Sequence, residues 1–275
     1  MHAIAMLDRR RIGRWLLNGA AAIAFLYILL PLLFVTWLSF YSQEIPSYPP
    51  EGYTLRWFYA ITGNERFLDG LLLSLQLGVI ATALGLLLSV PAALCIAYFR
   101  FPGRELLNSL LLFPLMVPGV VLGTGLYVFH VETEIATGLP IIGSLGGLVW
   151  GHVLVTIPWI VRLVTASLAG FDRTLEEAAQ SLGATPWTTF RRITLPGILP
   201  GIVAGAMFAF VSSFGNLEMS LFLVGPGRTT LPIAILQYLQ WKIDPTIAAI
   251  SVVQILLVAV AMLVTDRFVR LSRVV

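Results

Sequence analysis

A single cysteine and a single lysine stand in a chain of 275 residues, and charged residues make up only 11% of it. With Cys95 alone, no disulfide can form within the chain, and its apolar surroundings suit a small packing residue. Lys242 follows Trp241, so the Gly-Lys-Ser/Thr of a phosphate-binding loop is missing and the chain cannot be a P-loop ATPase by itself. Three histidines (His2, His130 and His152) are too few and too scattered for a transition-metal site. Neither H-E-x-x-H nor G-x-S-x-G occurs. The formal charge of +3 comes without aromatic-basic interleaving, so no nucleic acid is expected as a partner. No covalent chemistry, cofactor or metal is expected of this chain.

Apolar length is what the sequence has instead. Hydrophobic residues make up 58% and the mean hydropathy is +0.90. A soluble domain usually carries about 25% charged residues. Crossing a hydrocarbon core of about 30 Å takes roughly 20 apolar residues. Runs of that length lie at about 16–40, 71–99, 106–130, 145–168, 198–224 and 247–268. They are continuous and lack period-two alternation, which excludes a barrel. The expectation is an all-α polytopic membrane protein, a six-helix bundle forming one domain over 1–275. The first run is longer than the apolar region of a secretion signal and no small-residue cleavage site follows Tyr41, so it reads as an uncleaved span. Pro31, Pro91, Pro114, Pro118 and Pro158 predict kinked helices. Outside the spans, 41–70 reads as an interfacial loop rich in Pro, Tyr and Trp, and 233–241 as a short helix.

Arginines give the orientation. One side holds Arg9, Arg10, Arg11, Arg14, Arg100, Arg104, Arg173, Arg191, Arg192, Arg267, Arg270 and Arg273. The other holds Arg56, Arg66, Arg228 and Lys242 against seven acids: Glu44, Glu51, Glu65, Asp69, Glu132, Glu134 and Asp244. The positive-inside rule places both termini and the polar segment 172–201 in the cytoplasm.

That segment reads DRTLEEAAQSLGATPWTTFRRITLPGILPG. Thr174 to Glu177 has capping-box spacing, predicting a helix that starts near 172–174 with Glu176 and Glu177 in its first turn. Leu175, Ala178, Ala179 and Leu182 form one apolar stripe, and Gly183 suits the left-handed residue that ends a helix. Thr185-Pro186 then reads as an N-cap with proline at the first helical position, predicting a second short helix through Arg192. A helix, a sharp turn and another helix fit either docking to a soluble partner or resting on lipid headgroups.

Glu177-Ala178-Ala179, three residues, Gly183, nine residues, Ile193, one residue, then Leu195-Pro196 resembles the cytoplasmic coupling loop of binding-protein-dependent ABC importer permeases. The resemblance implies a coupling loop at 172–196 that fits a cleft of an ATP-binding subunit. Its core would be Glu177, Ala178, Ala179 and Gly183, with Glu176 beside it and Leu182, Ile193, Leu195 and Pro196 fixing its base. It also implies two ABC ATPase subunits carrying the ATP and Mg, a second permease (a different, homologous chain), an extracytoplasmic solute-binding protein, and residence in a bacterial inner membrane.

Beyond the loop, most of the chain after Leu71 is similar to the second permease of polyamine-type importers (spermidine/putrescine and relatives). Leu175-Glu-Glu-Ala-Ala, Leu182-Gly-Ala, Trp187, Pro200-Gly-Ile, Gly225-Pro and Leu231-Pro232 carry this. Where typical members have an acidic pair after Ser-Phe, this chain has Gly215-Asn216 and, slightly later, Glu218. Related importers of aminoalkyl compounds such as 4-aminobutyrate, opines or aminoethylphosphonate are implied alongside polyamines.

Glu218 is the one acid expected deep within a span. A charge there costs on the order of 2.5–3.5 kcal/mol on insertion scales, so it should face a cavity or a partner. It is a translocation-path candidate or a neutral hydrogen-bonded acid, with Asn216 and Ser213 as weaker companions. His152 and Trp150 are expected to pack. An ion-coupled secondary transporter would need more intramembrane ionisable groups and repeat symmetry. A permease for another solute class, or a scaffold subunit, are further alternatives.

Overall fold

The computed structural model describes residues 2–269, with side chains for 13–267. The side chains of Arg9, Arg10, Arg11, Arg270 and Arg273, which enter the orientation argument, lie outside this set. Helix follows helix: α1 (His2–Leu38), α2 (Arg56–Thr62), α3 (Glu65–Tyr98), α4 (Arg104–Leu112), a 3₁₀ turn at Phe113–Leu115 and α5 (Gly119–Thr137). Then come α6 (Leu145–Ala169), α7 (Thr174–Ser181), α8 (Pro186–Thr189), a π-helical turn at Phe190–Thr194, α9 (Leu195–Phe214), α10 (Ser220–Leu223), α11 (Leu231–Trp241) and α12 (Thr246–Val269). No strand occurs among the described residues beyond an isolated bridge between Tyr41 and Tyr53.

Among the described residues, five helical segments are long and apolar enough to cross a membrane: Gly13–Leu38, Glu65–Tyr98, Leu145–Ala169, Pro186–Phe214 and Thr246–Arg267. A sixth forms only if the pair Arg104–Leu115 and Gly119–Thr137 is taken together, and this pair is bent by 106°. The kinked span expected at 106–130 is therefore broken outright. Pro118 cannot donate an amide and restricts Val117, so the helix stops and restarts rather than kinking. The span expected at 198–224 differs at both ends. It starts at Pro186, because the π turn carries the helix onward past Arg192, and it ends at Phe214. The 41–70 loop is also shorter than expected, since α2 and the first turns of α3 occupy part of it. The short helix expected at 233–241 is present as α11.

Contacts divide the chain into two compact units, Met1–Gly63 with Leu239–Ile255 and Asn64–Tyr238 with Leu256–Val275. In the first, the 41–57 stretch closes on itself. Trp57 donates its indole N–H to the Tyr41 carbonyl at 2.6 Å, and Arg56 donates to the Ser42 carbonyl at 2.7 Å while lying over the Trp57 ring.

The second unit is built on α3, α6 and α9. Ala93, Ile160, Val164, Leu168, Ile198 and Ala209 form one buried cluster, and Leu77, Leu126, Leu148, Met219 and Leu223 another. Small residues let the backbones approach, as membrane helices require where apolar burial gives little drive. A Cβ at Gly205 would meet Ile160 Cα at 3.0 Å, and one at Gly201 would meet the Leu163 carbonyl at 2.8 Å. Gly201 and Gly205 are one turn apart and seat α9 against α6. Hydroxyls add interhelical bonds: Thr156 donates toward the Ala81 carbonyl at 3.2 Å and Ser89 toward the Ile157 carbonyl at 3.4 Å.

Candidate functional site

The 172–196 segment forms as a helix, a turn and a second helix. Thr174 does not cap its own helix, as the capping-box spacing predicts. The Asp172 carboxylate instead accepts from the Thr174 amide at 3.0 Å and from its hydroxyl at 2.8 Å. These bonds favour the ionised form and hold the Asp172 carboxyl below its ordinary value. α7 ends at Gly183, which has φ +88°. The Ala184 amide reaches the Ala179 carbonyl at 3.0 Å and the Gly183 amide reaches Gln180 at 2.9 Å, the two bonds of a Schellman motif. Thr185 starts α8 by accepting from the Thr188 amide at 3.2 Å.

The second helix is not separate. Pro196 has no N–H for the carbonyl four residues back, and the chain widens just before it. The Leu195 amide bonds to the Phe190 carbonyl five residues earlier, and the helix runs on into α9.

Glu176 and Glu177 part company here. Glu176 is half-buried, and its carboxylate accepts from the Tyr98 hydroxyl at 2.8 Å and from the Thr194 hydroxyl. Arg173, one turn earlier, donates to the Ala97 carbonyl at 2.8 Å and lies over the Tyr98 ring, 4.5 Å from its centroid. Ala97 lies in the last turn of α3, where carbonyls lack intrahelical partners. Glu177 is exposed, as are Ala178 and Gly183, whereas Ala179 is half-buried.

Leu182, expected at the base, is 90% exposed, and Trp187 is 68% exposed. The Schellman turn throws Leu182 outward. Ile193 and Leu195 are half-buried and Pro196 is exposed, so the buried base consists of Thr189, Thr194 and Ile198. Tyr98, Arg173 and Thr194 were not singled out from sequence. Only the three-residue spacing of Arg173 and Glu176, which puts them on one helix face, hinted at a shared direction.

The second candidate cluster also departs from expectation. Glu218 does not lie within a helical span. It occupies the non-helical turn between α9 and α10 and is exposed. Gly119, the first residue of α5, would place a Cβ against the Glu218 carboxylate, and one at Gly123 would meet Met219 Cα at 2.9 Å. The break after Pro118 and the break after Phe214 thus meet, with a carboxylate near the positive end of α5. No ion pair among the described residues engages Glu218. Asn216 Oδ1 accepts from the Met219 and Ser220 amides at 3.2 and 3.4 Å, starting α10.

His152 does more than pack. Buried on α6, it contacts Ser213 at 2.7 Å through Nδ1 and Ser220 at 3.2 Å through Nε2. The Ser220 hydroxyl gives its one hydrogen to the Asn216 carbonyl at 2.8 Å. Nε2 must therefore be the donor, and Ser213 donates to Nδ1. This chain of bonds fixes the Glu218 turn from behind.

At the end of α6 away from 172–196, Glu134 accepts from the Ile141 and Ile142 amides, both at 2.8 Å, and Arg228 donates to the Gly143 carbonyl at 3.1 Å. The 138–144 and 225–229 loops form one tied surface there.

The chain is 30% identical over 230 residues to the putrescine transport system permease protein PotI of Escherichia coli K12, covering 83% of this chain and 82% of that one. It is 26% identical to the spermidine/putrescine transport system permease protein PotC of the same strain, covering 94% and 96%. Among solved structures, a chain of a bacterial ABC transporter that imports the acidic polysaccharide alginate superposes with a TM-score of 0.70 at 14% identity, covering 94% of this chain and 96% of that one. The model of binding-protein-dependent transport system inner membrane components matches residues 81–273, through the 172–196 segment and both helix breaks, and the chain belongs to that family of transport permeases.

Proposed function

We propose that this chain is one of two permease subunits of an ATP-driven importer, coupled to an ATPase subunit through 172–196 and carrying a polyamine or another small amine-bearing solute. The observation that carries the coupling reading is the division of labour on α7. Its inner face is bonded to α3 and to the π turn before α9, whereas Glu177, Ala178, Leu182 and Trp187 are left exposed. An interfacial helix would turn its apolar side chains into lipid along one stripe. Here the exposed Leu182 and Trp187 lie either side of a sharp turn, which suits a shaped protein cleft better.

ATP and Mg belong to two ATPase subunits; this chain's contribution is mechanical. Their closure would move α7 and α8, and the bundle would switch between inward-open and outward-open states. A loaded solute-binding protein would dock on the extracytoplasmic side, with both termini of this chain cytoplasmic, and a different homologous chain would complete the pathway. The meeting of two helix breaks at Glu218 supports a place for that residue, with Asn216 and Ser213, along the path, since discontinuous helices are a recurrent way of lining a solute route. An exposed carboxylate with no cationic partner among the described residues favours a cationic solute, in keeping with the putrescine and spermidine permeases that this chain is similar to.

The test is ATP hydrolysis by the purified complex with its binding protein, screened against putrescine, spermidine and small amino acids and aminophosphonates. Stimulation by an amine-bearing solute is expected. Stimulation only by solutes without an amine would reject the substrate class.

A further inference from the structure

The contacts on the inner face of α7 converge on one point. Tyr98 is the last residue of α3, and Thr194 closes the π turn immediately before α9. Both hydroxyls donate to Glu176, while Arg173 holds the Ala97 carbonyl and covers the Tyr98 ring. A single turn of α7 therefore grips the ends of two core helices.

The π turn contributes to this grip. An α-helix advances about 100° per residue, so the extra residue shifts the helix face by that angle. Without it, Thr194 would turn away from Glu176. Thr194 is 3% exposed, so its hydroxyl needs a partner inside the protein, and Glu176 supplies one.

We propose that Glu176, with Tyr98 and Thr194, is a latch that makes α7, α3 and α9 move together, so that displacement of the outer face of α7 reaches the helices of the bundle core. This rests on the coupling reading above. Glu176 and Tyr98 are positioning residues: their polar groups bond within the chain, and Glu177 next to Glu176 supplies the outward contact. Arg173 contributes through the same turn by holding the ring of Tyr98 in place.

The experiment measures solute imported per ATP hydrolysed in proteoliposomes holding the whole complex, for wild type, Tyr98→Phe, Glu176→Ala and the double variant. Tyr98→Phe removes one oxygen and keeps the ring under Arg173. Tyr98→Phe is expected to lower the import ratio by about fivefold, the scale of one net hydrogen bond, and Glu176→Ala, which loses two, by more. The double variant should be no worse than Glu176→Ala, and the ATPase subunit should co-purify at the wild-type ratio. Glu176→Gln, which keeps an acceptor oxygen, should recover much of the loss. An unchanged import ratio in both single variants, effects that multiply in the double variant, or loss of the ATPase subunit would each overturn the latch. A wild-type complex that hydrolyses ATP without ATP-driven import would instead remove the coupling reading, and the latch with it.

Discussion

Glu176 and Glu177 are adjacent in the chain and differ in surroundings: the Glu176 carboxylate is held by Tyr98 and Thr194, and Glu177 stands exposed. Two neighbouring carboxylates thus have different surroundings. One is satisfied within the chain. The other presents a solvated charge that a partner can use without any rearrangement of α7.

Charge reversal at Glu177 is therefore expected to leave the fold intact, because exposed positions away from caps and cores usually change stability within about 0.5 kcal/mol. Glu177→Arg should reduce ATP-dependent uptake about tenfold or more, the equivalent of roughly 1.4 kcal/mol in coupling. Thermal unfolding of the purified subunit and uptake by the assembled complex check the two halves. Uptake at the wild-type rate would remove Glu177 from the coupling surface.

Gly183 is constrained by conformation. Its φ of +88° is one that a β-branched residue adopts only under strain. Gly183→Val should cost at least the ~1–2 kcal/mol of a left-handed L-residue and disturb the Schellman bonds at Ala179 and Gln180. Gly183→Asn should be milder, since Asn tolerates this region. Uptake is expected to rank Gly, then Asn, then Val. Equal uptake by the Val variant would show that the turn's shape is not used.

Asp172 gives the pH dependence. Bonds from Thr174 lower its folded-state value below the unfolded one, so its contribution to the start of α7 is full above the ordinary carboxylate range. That contribution is lost as pH falls through the depressed value. Protection of the 173–181 amides, taken relative to intrinsic exchange at each pH, should fall on acidification across that window, and Asp172→Ala should show low protection throughout. Protection independent of pH in the parent chain would contradict this.

Glu218→Gln should change the rate or selectivity of uptake while leaving the complex assembled, because the side chain is exposed and the turn is held by His152 and Asn216 rather than by Glu218 itself. Unchanged kinetics across polyamines and amino acids would return Glu218 to a structural role.

The legibility of the sequence follows the range of the interactions. The end of α7 at Gly183 and the start of α8 at Thr185 were readable because their bonds span no more than five residues. The proline signal at 114–118 was visible, yet it read as a kink, since whether a freed carbonyl is re-satisfied depends on neighbouring helices. The break after Phe214 had only Gly215-Asn216 to announce it within an apolar run. The Asn216 side chain and the His152 bonds that fix it come from tertiary placement. Tyr98 lies 78 residues from Glu176, and no periodicity carries such a pairing.

The most direct measurement is uptake by vesicles containing the two permeases, the ATPase subunits and the binding protein. Magnesium and ATP on the ATPase side are compared there with an imposed proton or sodium gradient alone. The account predicts uptake with ATP and none with either gradient. Gradient-driven uptake without ATP would contradict it.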